Sequence, residues 1–348
     1  MTRDRADDLG APLISVVIPS VNGAAHLRLV LGSLRPPSAG PLEVVVVDGG
    51  STDGSRAACA DAPSPVRFLS TGHNLGYAAA ANAGLRAARG RFLLVLNNDT
   101  VAAPDLLDRL AQAAEDSGAA LVVPRVLTLT GEERVDNTGH RLYRDGLNLC
   151  RDRGEPADDE RGRVPIPPLL PSGAALLLRR DALARLGGFD EEFFAYGEDA
   201  ELGLRALRAG LAIHYAPDAV VRHLGGGTWG AASVRKAFLV ERNRARLAVA
   251  HLPWARLAAS PWHWLARYAE HARAWGEGPL GAYPGRWQQG VAAVGAAVAV
   301  TARMSTRSTG SGIACTVRRY GPMVPARGPR PISGEVGTKA KSPPGPSR

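Results

Sequence analysis

The stretch Leu42-Glu43-Val44-Val45-Val46-Val47-Asp48-Gly49-Gly50-Ser51-Thr52-Asp53 decides the fold. Leu42 to Val47 is a short apolar, β-branched run and reads as a buried strand. Asp48-Gly49-Gly50 stops it, and Ser51-Thr52-Asp53 has the composition of a helix start. The same grammar recurs on either side. Leu13 to Ile18 is a strand ended by Pro19, followed by residues 23–34 with Leu27, Val30, Leu31 and Leu34 at helical spacing. Val66 to Leu69 is a third strand, residues 76–89 an Ala-rich helix, and Phe92 to Leu96 a fourth strand ending at Asn97-Asn98-Asp99. Pro104 opens another helix, with Asp105 and Asp108 in its first turn where the macrodipole favours acids. Ala119 to Val123 is a fifth strand. Strands that alternate with helices give a mainly parallel sheet covered on both faces, an α/β fold. Ligands of such sheets bind beyond the carboxyl ends of the strands, and two of those ends carry Asp48 and Asp99.

Farther on, the pattern thins. Residues 128–168 are rich in charge, Gly and Pro, and read as loops or short edge strands over the site. Ala174 to Leu178 and Ala212 to Tyr215 are short strands, and residues 199–210 form a helix. Gly225-Gly226-Gly227 is a flexible break. A basic helix over 231–251 follows, then a Trp-rich segment with Trp254, Trp262, Trp264 and Trp275. The expected organisation is an N-terminal tail (1–12), a catalytic domain (13–227), a basic helical extension (228–302) and a disordered tail (303–348).

Charge follows these boundaries. The net charge of +9 hides a front part, residues 1–227, with 24 basic and 29 acidic side chains. Residues 228–300 carry 9 basic and 3 acidic side chains, and residues 301–348 carry 9 and 1. The front resembles an ordinary soluble enzyme. The basic back either meets anionic lipid head groups or nucleic acid, or is a solvated tail. Cys59, Cys150 and Cys315 are odd in number and lack CxxC spacing, which argues against a disulfide framework and a zinc site and fits a reducing cytosol. Met1 to Gly10 has no apolar core of a signal peptide. The apolar run Gly290 to Ala302 is too short and too rich in Ala and Gly to span a bilayer.

The acidic residues carry distinct chemistry. A carboxylate at Asp48 can accept from a base N–H or a ribose hydroxyl but cannot attract a diphosphate; as part of Asp-Gly-Gly it is equally a turn residue. Asp99 offers a hard oxygen to a divalent cation. Glu198-Asp199 opens the helix over 199–210, where the dipole keeps a carboxylate ionised and able to take a proton from a hydroxyl; capping alone would also explain both acids. Pro171-Ser172-Gly173-Ala174-Ala175 permits close approach of backbone to a ligand. Phe193-Phe194-Ala195-Tyr196 is either a stacking wall or core. Arg242, Arg244 and Arg246 either face phosphate or form a solvated helix face.

Four stretches in order, Val16-Val17-Ile18-Pro19-Ser20, Val46 through Ser55, His73-Asn74-Leu75-Gly76-Tyr77 through Thr100, and Gly187-Gly188-Phe189-Asp190 through Leu202, resemble family 2 glycosyltransferases of the GT-A fold. Within that family the likeness is to rhamnosyltransferase-type and galactofuranosyltransferase-type enzymes, over roughly residues 13–250. The resemblance implies an inverting, metal-dependent transfer of sugar from a UDP- or dTDP-sugar to a glycan or lipid-linked acceptor in cell-envelope synthesis. It implies donor contacts at Pro19, Asp48, Asn74, Asn97, Asn98 and Asp99, with Asp48 at the nucleotide base. It implies Asp199 as the base, aided by Glu198, and Mg²⁺ or Mn²⁺ held by Asp99 and His223. A lone His after an apolar strand is more often structural. Asn97 stands where the family's Asp-x-Asp motif has its first Asp, so the site loses one charge there. The expected location is the cytoplasm, with peripheral contact at the anionic inner face of the plasma membrane, and no nucleic acid is expected.

Other classes fit less well. A nucleotidyltransferase would need a basic phosphate loop near the N-terminus, and Ile18 to Gly23 contains no Lys or Arg. A dinucleotide-dependent dehydrogenase would need GxGxxG after the first strand, which is absent. A protein that binds the nucleotide-sugar without turnover remains open at this point.

Overall fold

The computed structural model describes residues 12–164, 169–225 and 234–273. The N-terminal tail, the Gly226-Gly227 break, Trp275, the apolar run 290–302 and the tail 303–348 lie outside the described residues. The first half alternates as expected: β1 (Ile14–Ser20), α1 (Ala24–Ser33), β2 (Leu42–Asp48), α2 (Ser55–Ala60), β3 (Val66–Ser70), α3 (Tyr77–Ala87), β4 (Phe92–Leu96), β5 (Thr100–Ala102), α4 (Leu106–Ser117) and β6 (Leu121–Thr128). An excursion of short strands follows: β7 (Val135–Asn137), β8 (His140–Leu142) and β9 (Asn148–Cys150). The chain then returns through β10 (Ala175–Arg179), α5 (Arg180–Leu186), α6 (Glu198–Arg208), β11 (Ile213–His223), α7 (Val234–His251) and α8 (Trp254–Arg273).

The main sheet runs β3-β2-β1-β4-β10-β6-β11-β5, with β7 beside β6. β3, β2, β1 and β4 are parallel, β10 is antiparallel to both neighbours, and β6 and β11 are parallel. The two-residue period of the strands sorts the core into two layers. Val16, Ile18, Val44, Val46 and Leu94 pack on one face with Leu27, Val30, Leu106 and Leu110 of α1 and α4. Val17, Val45, Val47, Leu93 and Val95 pack on the other with Ala78, Ala81 and Leu85 of α3 and Leu202 of α6. The small residues of α3 let that helix settle directly on the sheet. A Cβ at Gly84 would lie 2.2 Å from Val17 Cγ1.

Three features depart from the expected elements. β5 is a three-residue strand paired antiparallel with β11. β6 runs past Pro124 to Thr128, and β11 runs to His223 through an irregularity between Ala216 and Val220. That extension carries His223 to the edge where β4 ends. β10 inserts between β4 and β6 because the excursion ends at the same side of the sheet as the β4 exit, so the chain must run back down. Its entry, Gly173-Ala174, therefore lies beside Asn97, whose N–H donates to the Ala174 carbonyl at 3.0 Å.

Candidate active site

The strand exits line up. Asp48 is the register partner of Ser20, and the Ser20 hydroxyl accepts from Asn98 Nδ2 at 2.9 Å. Asp48 is buried, and Oδ2 accepts from the N–H groups of Gly50 and Ser51, each at 3.1 Å. Oδ1 is buried with no hydrogen-bond partner among the described residues. The turn role of Asp48 thus uses one oxygen and leaves the other as the acceptor a base N–H or ribose hydroxyl would satisfy. Pro19 is buried within β1 beside Val47, one residue short of the exit. Asn74 Oδ1 accepts from the Gly76 N–H at 2.9 Å, and the Asn74 backbone lies against Gly49. Asp53 caps two helix starts, accepting from Ala24 N–H at 2.9 Å and from Ser55 N–H at 3.0 Å.

Asp99 meets His223 one strand further. His223 Nε2 is 3.2 Å from Asp99 Oδ1, and Nδ1 is 2.9 Å from Asp136 Oδ2 on β7. Arg153 holds the other Asp136 oxygen at 2.7 Å. Asp99 Oδ1 is buried against the His223 imidazole, its ion-pair partner. Among the described residues no group of three or more such side chains gathers about one point, so a cation here would have Asp99 and His223 as its protein ligands. A carboxylate oxygen is suited to Mg²⁺ and Mn²⁺, and an imidazole in the set favours the softer Mn²⁺. These two side chains have the donor chemistry for such an ion. Without it, burial opposes charge on His223, but hydrogen bonds and charge from Asp136 and Asp99 outweigh burial and lift its pKa to about 9.

The acidic pair stands opposite, in the first turn of α6. Asp199 Oδ2 accepts from the Gly173 N–H at 2.6 Å, and Oδ1 from the Ala200 N–H at 2.7 Å. Gly173 in turn gives its carbonyl to the Tyr77 hydroxyl at 2.7 Å. Glu198 is buried beside Asp199, with Oε2 lacking any partner among the described residues. Burial and the Asp199 charge push the Glu198 carboxyl well above the usual carboxylate range. The pair is thus divided between a doubly hydrogen-bonded carboxylate and a group held toward its protonated form, the asymmetry expected of two acids with different roles. Burial, then Glu198, Asp199 and Asp99, raise the Tyr77 phenol, and burial, then Glu198 and Asp99, push that of Tyr196 up to about 12. The β4 exit and the start of α6 are linked through the backbone, since Asn97 N–H donates to Ala174 and the neighbouring Gly173 N–H donates to Asp199.

The loop into α6 is strained and braced. Phe194 and Tyr196 have φ of 64° and 71°, left-handed values that cost a side-chain-bearing residue energy. Gly76 (φ 87°) lies under this loop, where a Cβ would come 2.5 Å from Phe194. Asn243 of α7 closes it from behind, with Nδ2 2.9, 2.8 and 2.6 Å from the carbonyls of Phe193, Ala195 and Tyr196. Phe193 is core, against Leu170, Ala200 and Leu247. The three arginines of α7 face neither phosphate nor solvent as a set. Arg242 donates to the Glu192 and Phe193 carbonyls, Arg244 pairs with Glu241, and Arg246 pairs with Glu192 and covers the Phe193 ring. Asp136 and Asn243 escaped the sequence reading. One lies in an aperiodic excursion and the other in a helix read only for its charge.

A mixed, mainly parallel sheet with acids at its exits and a second acidic pair at a facing helix start defines a GT-A nucleotide-sugar transferase fold. The chain belongs to glycosyltransferase family 2, and the profile "Glycosyl transferase family 2" matches residues 15–187. It is 31% identical over 239 residues to the N-acetylglucosaminyl-diphospho-decaprenol L-rhamnosyltransferase of Mycobacterium tuberculosis, covering 61% of this chain and 76% of the relative. In structure it is similar to S. aureus TarS 1–349 (TM-score 0.52, 18% identity, 84% of this chain and 82% of that one). It is also similar to the mannosyltransferase PcManGT of Pyrobaculum calidifontis, solved with GDP-Man and Mn²⁺ (TM-score 0.50, 20% identity, 86% and 84%). The protein is a glycosyltransferase.

Proposed function

We propose that this enzyme performs an inverting, metal-dependent transfer of a hexose from a UDP- or dTDP-sugar to a hydroxyl of a glycan or lipid-linked acceptor, with rhamnosyl or galactofuranosyl transfer favoured. The observation that supports the reading most is the link between the two acidic sites: Asn97, two residues before Asp99, donates to Ala174, and the adjacent Gly173 N–H holds Asp199 at 2.6 Å. Asp48 Oδ1 accepts from the nucleotide, and Asn97 and Asn98 border the donor. A bound Mg²⁺ or Mn²⁺ at Asp99 and His223 supplies charge neutralisation for the departing diphosphate. Asp199 takes the acceptor proton as the new C–O bond forms on the face opposite the leaving group, which inverts the anomeric centre. Glu198, held toward its protonated form, leaves Asp199 as the sole base.

The proposed catalytic domain, residues 13–227, is completed by α7 of the 228–302 extension, since Asn243 and Leu247 hold the loop before Glu198. Among the described residues no helix is long and apolar enough to cross a membrane. Trp254 and Trp262 on α8 are 79% and 73% exposed, beside the exposed Leu265. Amphipathic rings so presented support peripheral contact with an anionic membrane carrying the acceptor.

The test is a screen of nucleotide-sugars by thermal shift and donor hydrolysis, with and without Mn²⁺. A UDP- or dTDP-sugar should stabilise the protein and turn over slowly only with metal. Turnover unchanged by chelator would contradict metal dependence, and tight binding without turnover under any condition would make the chain a binder.

A further inference from the structure

The hairpin of β8 and β9 forms its own two-stranded sheet, and the mechanism above uses none of it. Its residue His140 has a side chain 12% exposed and a fixed backbone, its N–H donating to the Leu170 carbonyl at 2.8 Å while Cys150 is its cross-strand partner. Nδ1 lies 3.6 Å from Asp199 Oδ2, at ion-pair distance. Nε2 lies 3.5 Å from Cys150 Sγ, and the Asn148 amide is 3.1 Å from Nδ1. We infer that His140 is a positioning residue for the reaction: its imidazole braces the same Asp199 oxygen that the Gly173 N–H holds, and places a positive charge beside two buried carboxyls.

The inference rests on the reading of Asp199 as the base. Two adjacent carboxyls in a water-poor site repel, and each would be forced toward protonation if nothing compensated. The α6 N-terminus and the Gly173 N–H compensate in part. An imidazolium adds a full charge, and at this separation an opposite charge counts for more than a dipole end. Burial opposes charge on His140, but Asp199 and then Cys150 outweigh it and lift its pKa to about 9, so the ring is cationic at neutral pH. Other charged groups that bear on the cluster are Glu198 on α6, Arg153 after β9, which disfavours the cation, and Asp136 on β7 and Lys236 on α7, which act on Cys150. His140 thus offsets the negative charge gathered at Asp199 and Glu198, without touching donor or acceptor.

His140→Gln removes the charge and keeps a polar side chain. The acid limb of the kcat/KM profile for transfer should move up by about one pH unit. Well down that limb, transfer at fixed pH should fall roughly tenfold, with the donor KM unchanged within twofold. In an Asp199→Asn background the same substitution should change nothing. If His140→Gln does not fold, His140→Ala with added imidazole reads the same limb, and imidazole should move it back. An acid limb that stays in place while Asp199→Asn is inactive overturns the role of His140 alone. Near-normal transfer by Asp199→Asn overturns the base reading beneath it.

Discussion

Asp136→Ala is the perturbation that most sharply probes how the proposed metal site is built. In the native protein the Asp136 carboxylate binds His223 Nδ1 at 2.9 Å and Arg153 at 2.7 Å. His223 and Asp136 are both nearly buried, with side chains 13% and 12% exposed, so bulk water replaces the lost acceptor poorly. A hydrogen bond involving a charged group is worth about 1.5–3 kcal/mol net. Loss of a carboxylate behind a ligating histidine costs roughly 10–100-fold in metal affinity, or about 1.4–2.7 kcal/mol. The two routes agree near ~2 kcal/mol, about thirtyfold. Asp136→Asn keeps an acceptor but no charge, and should fall nearer to tenfold. The assay is a Mn²⁺ titration read by melting temperature at fixed UDP, with the metal-free melting temperature as the control for folding. A Mn²⁺ affinity of Asp136→Ala within twofold of native would refute the reasoning, because His223 would then be oriented by something else or would not bind the ion.

Two further outcomes follow from groups that hold the scaffold. Glu43 is buried at the foot of β2, where the Ser15 hydroxyl and the Arg89 N–H and guanidinium donate to it; burial would raise its pKa, but these donors win and hold it below 4.5. A lowered folded pKa means stability that is present above about pH 4.5 and lost as pH falls, so the difference in unfolding free energy between native and Glu43→Gln, from urea titration, should be about 1–3 kcal/mol at pH 7 and should narrow at pH 3.5. Asn243→Ala leaves the carbonyls of Phe193, Ala195 and Tyr196 short of donors behind two residues with left-handed φ; it should destabilise by about 3 kcal/mol and lower kcat more than it raises the donor KM, as measured by denaturation and steady-state kinetics.

The sequence made the sheet's left half legible because β1, β2 and β4 are mainly apolar runs ended by Pro, by Asp-Gly or by Asn-Asn-Asp, and burial on both faces demands such runs. The right half was harder to read. The direction of β10 depends on where the preceding excursion leaves the chain, which no local pattern records. β5 is too short to show a period, and Pro124 hides the continuation of β6. The proposed candidate site residues stand at punctuation marks in the sequence: Asp48 before two glycines, Asp99 after two asparagines, and Glu198-Asp199 at a helix start. Asp136 and His140 were not legible there, because β7 and β8 are three-residue strands whose side chains are fixed by contacts distant in sequence. The charge of α7 misled in a different way. Its arginines hold carbonyls and carboxylates of the loop before Glu198, and composition cannot distinguish such buried use from a basic surface.

The central claim is that a carboxylate on α6 faces a nucleotide-sugar held at the strand exits and removes the acceptor's proton. The most direct measurement is single-turnover transfer by Asp199→Asn, run alongside equilibrium binding of the donor to the same protein. The substitution keeps the acceptor oxygen for the Gly173 N–H and removes only the basicity. Donor affinity should remain within about threefold of native while transfer falls by about 10²–10⁴-fold, the range a general base supplies. Transfer within a few-fold of native would contradict the account, since the proton would then be leaving by another route.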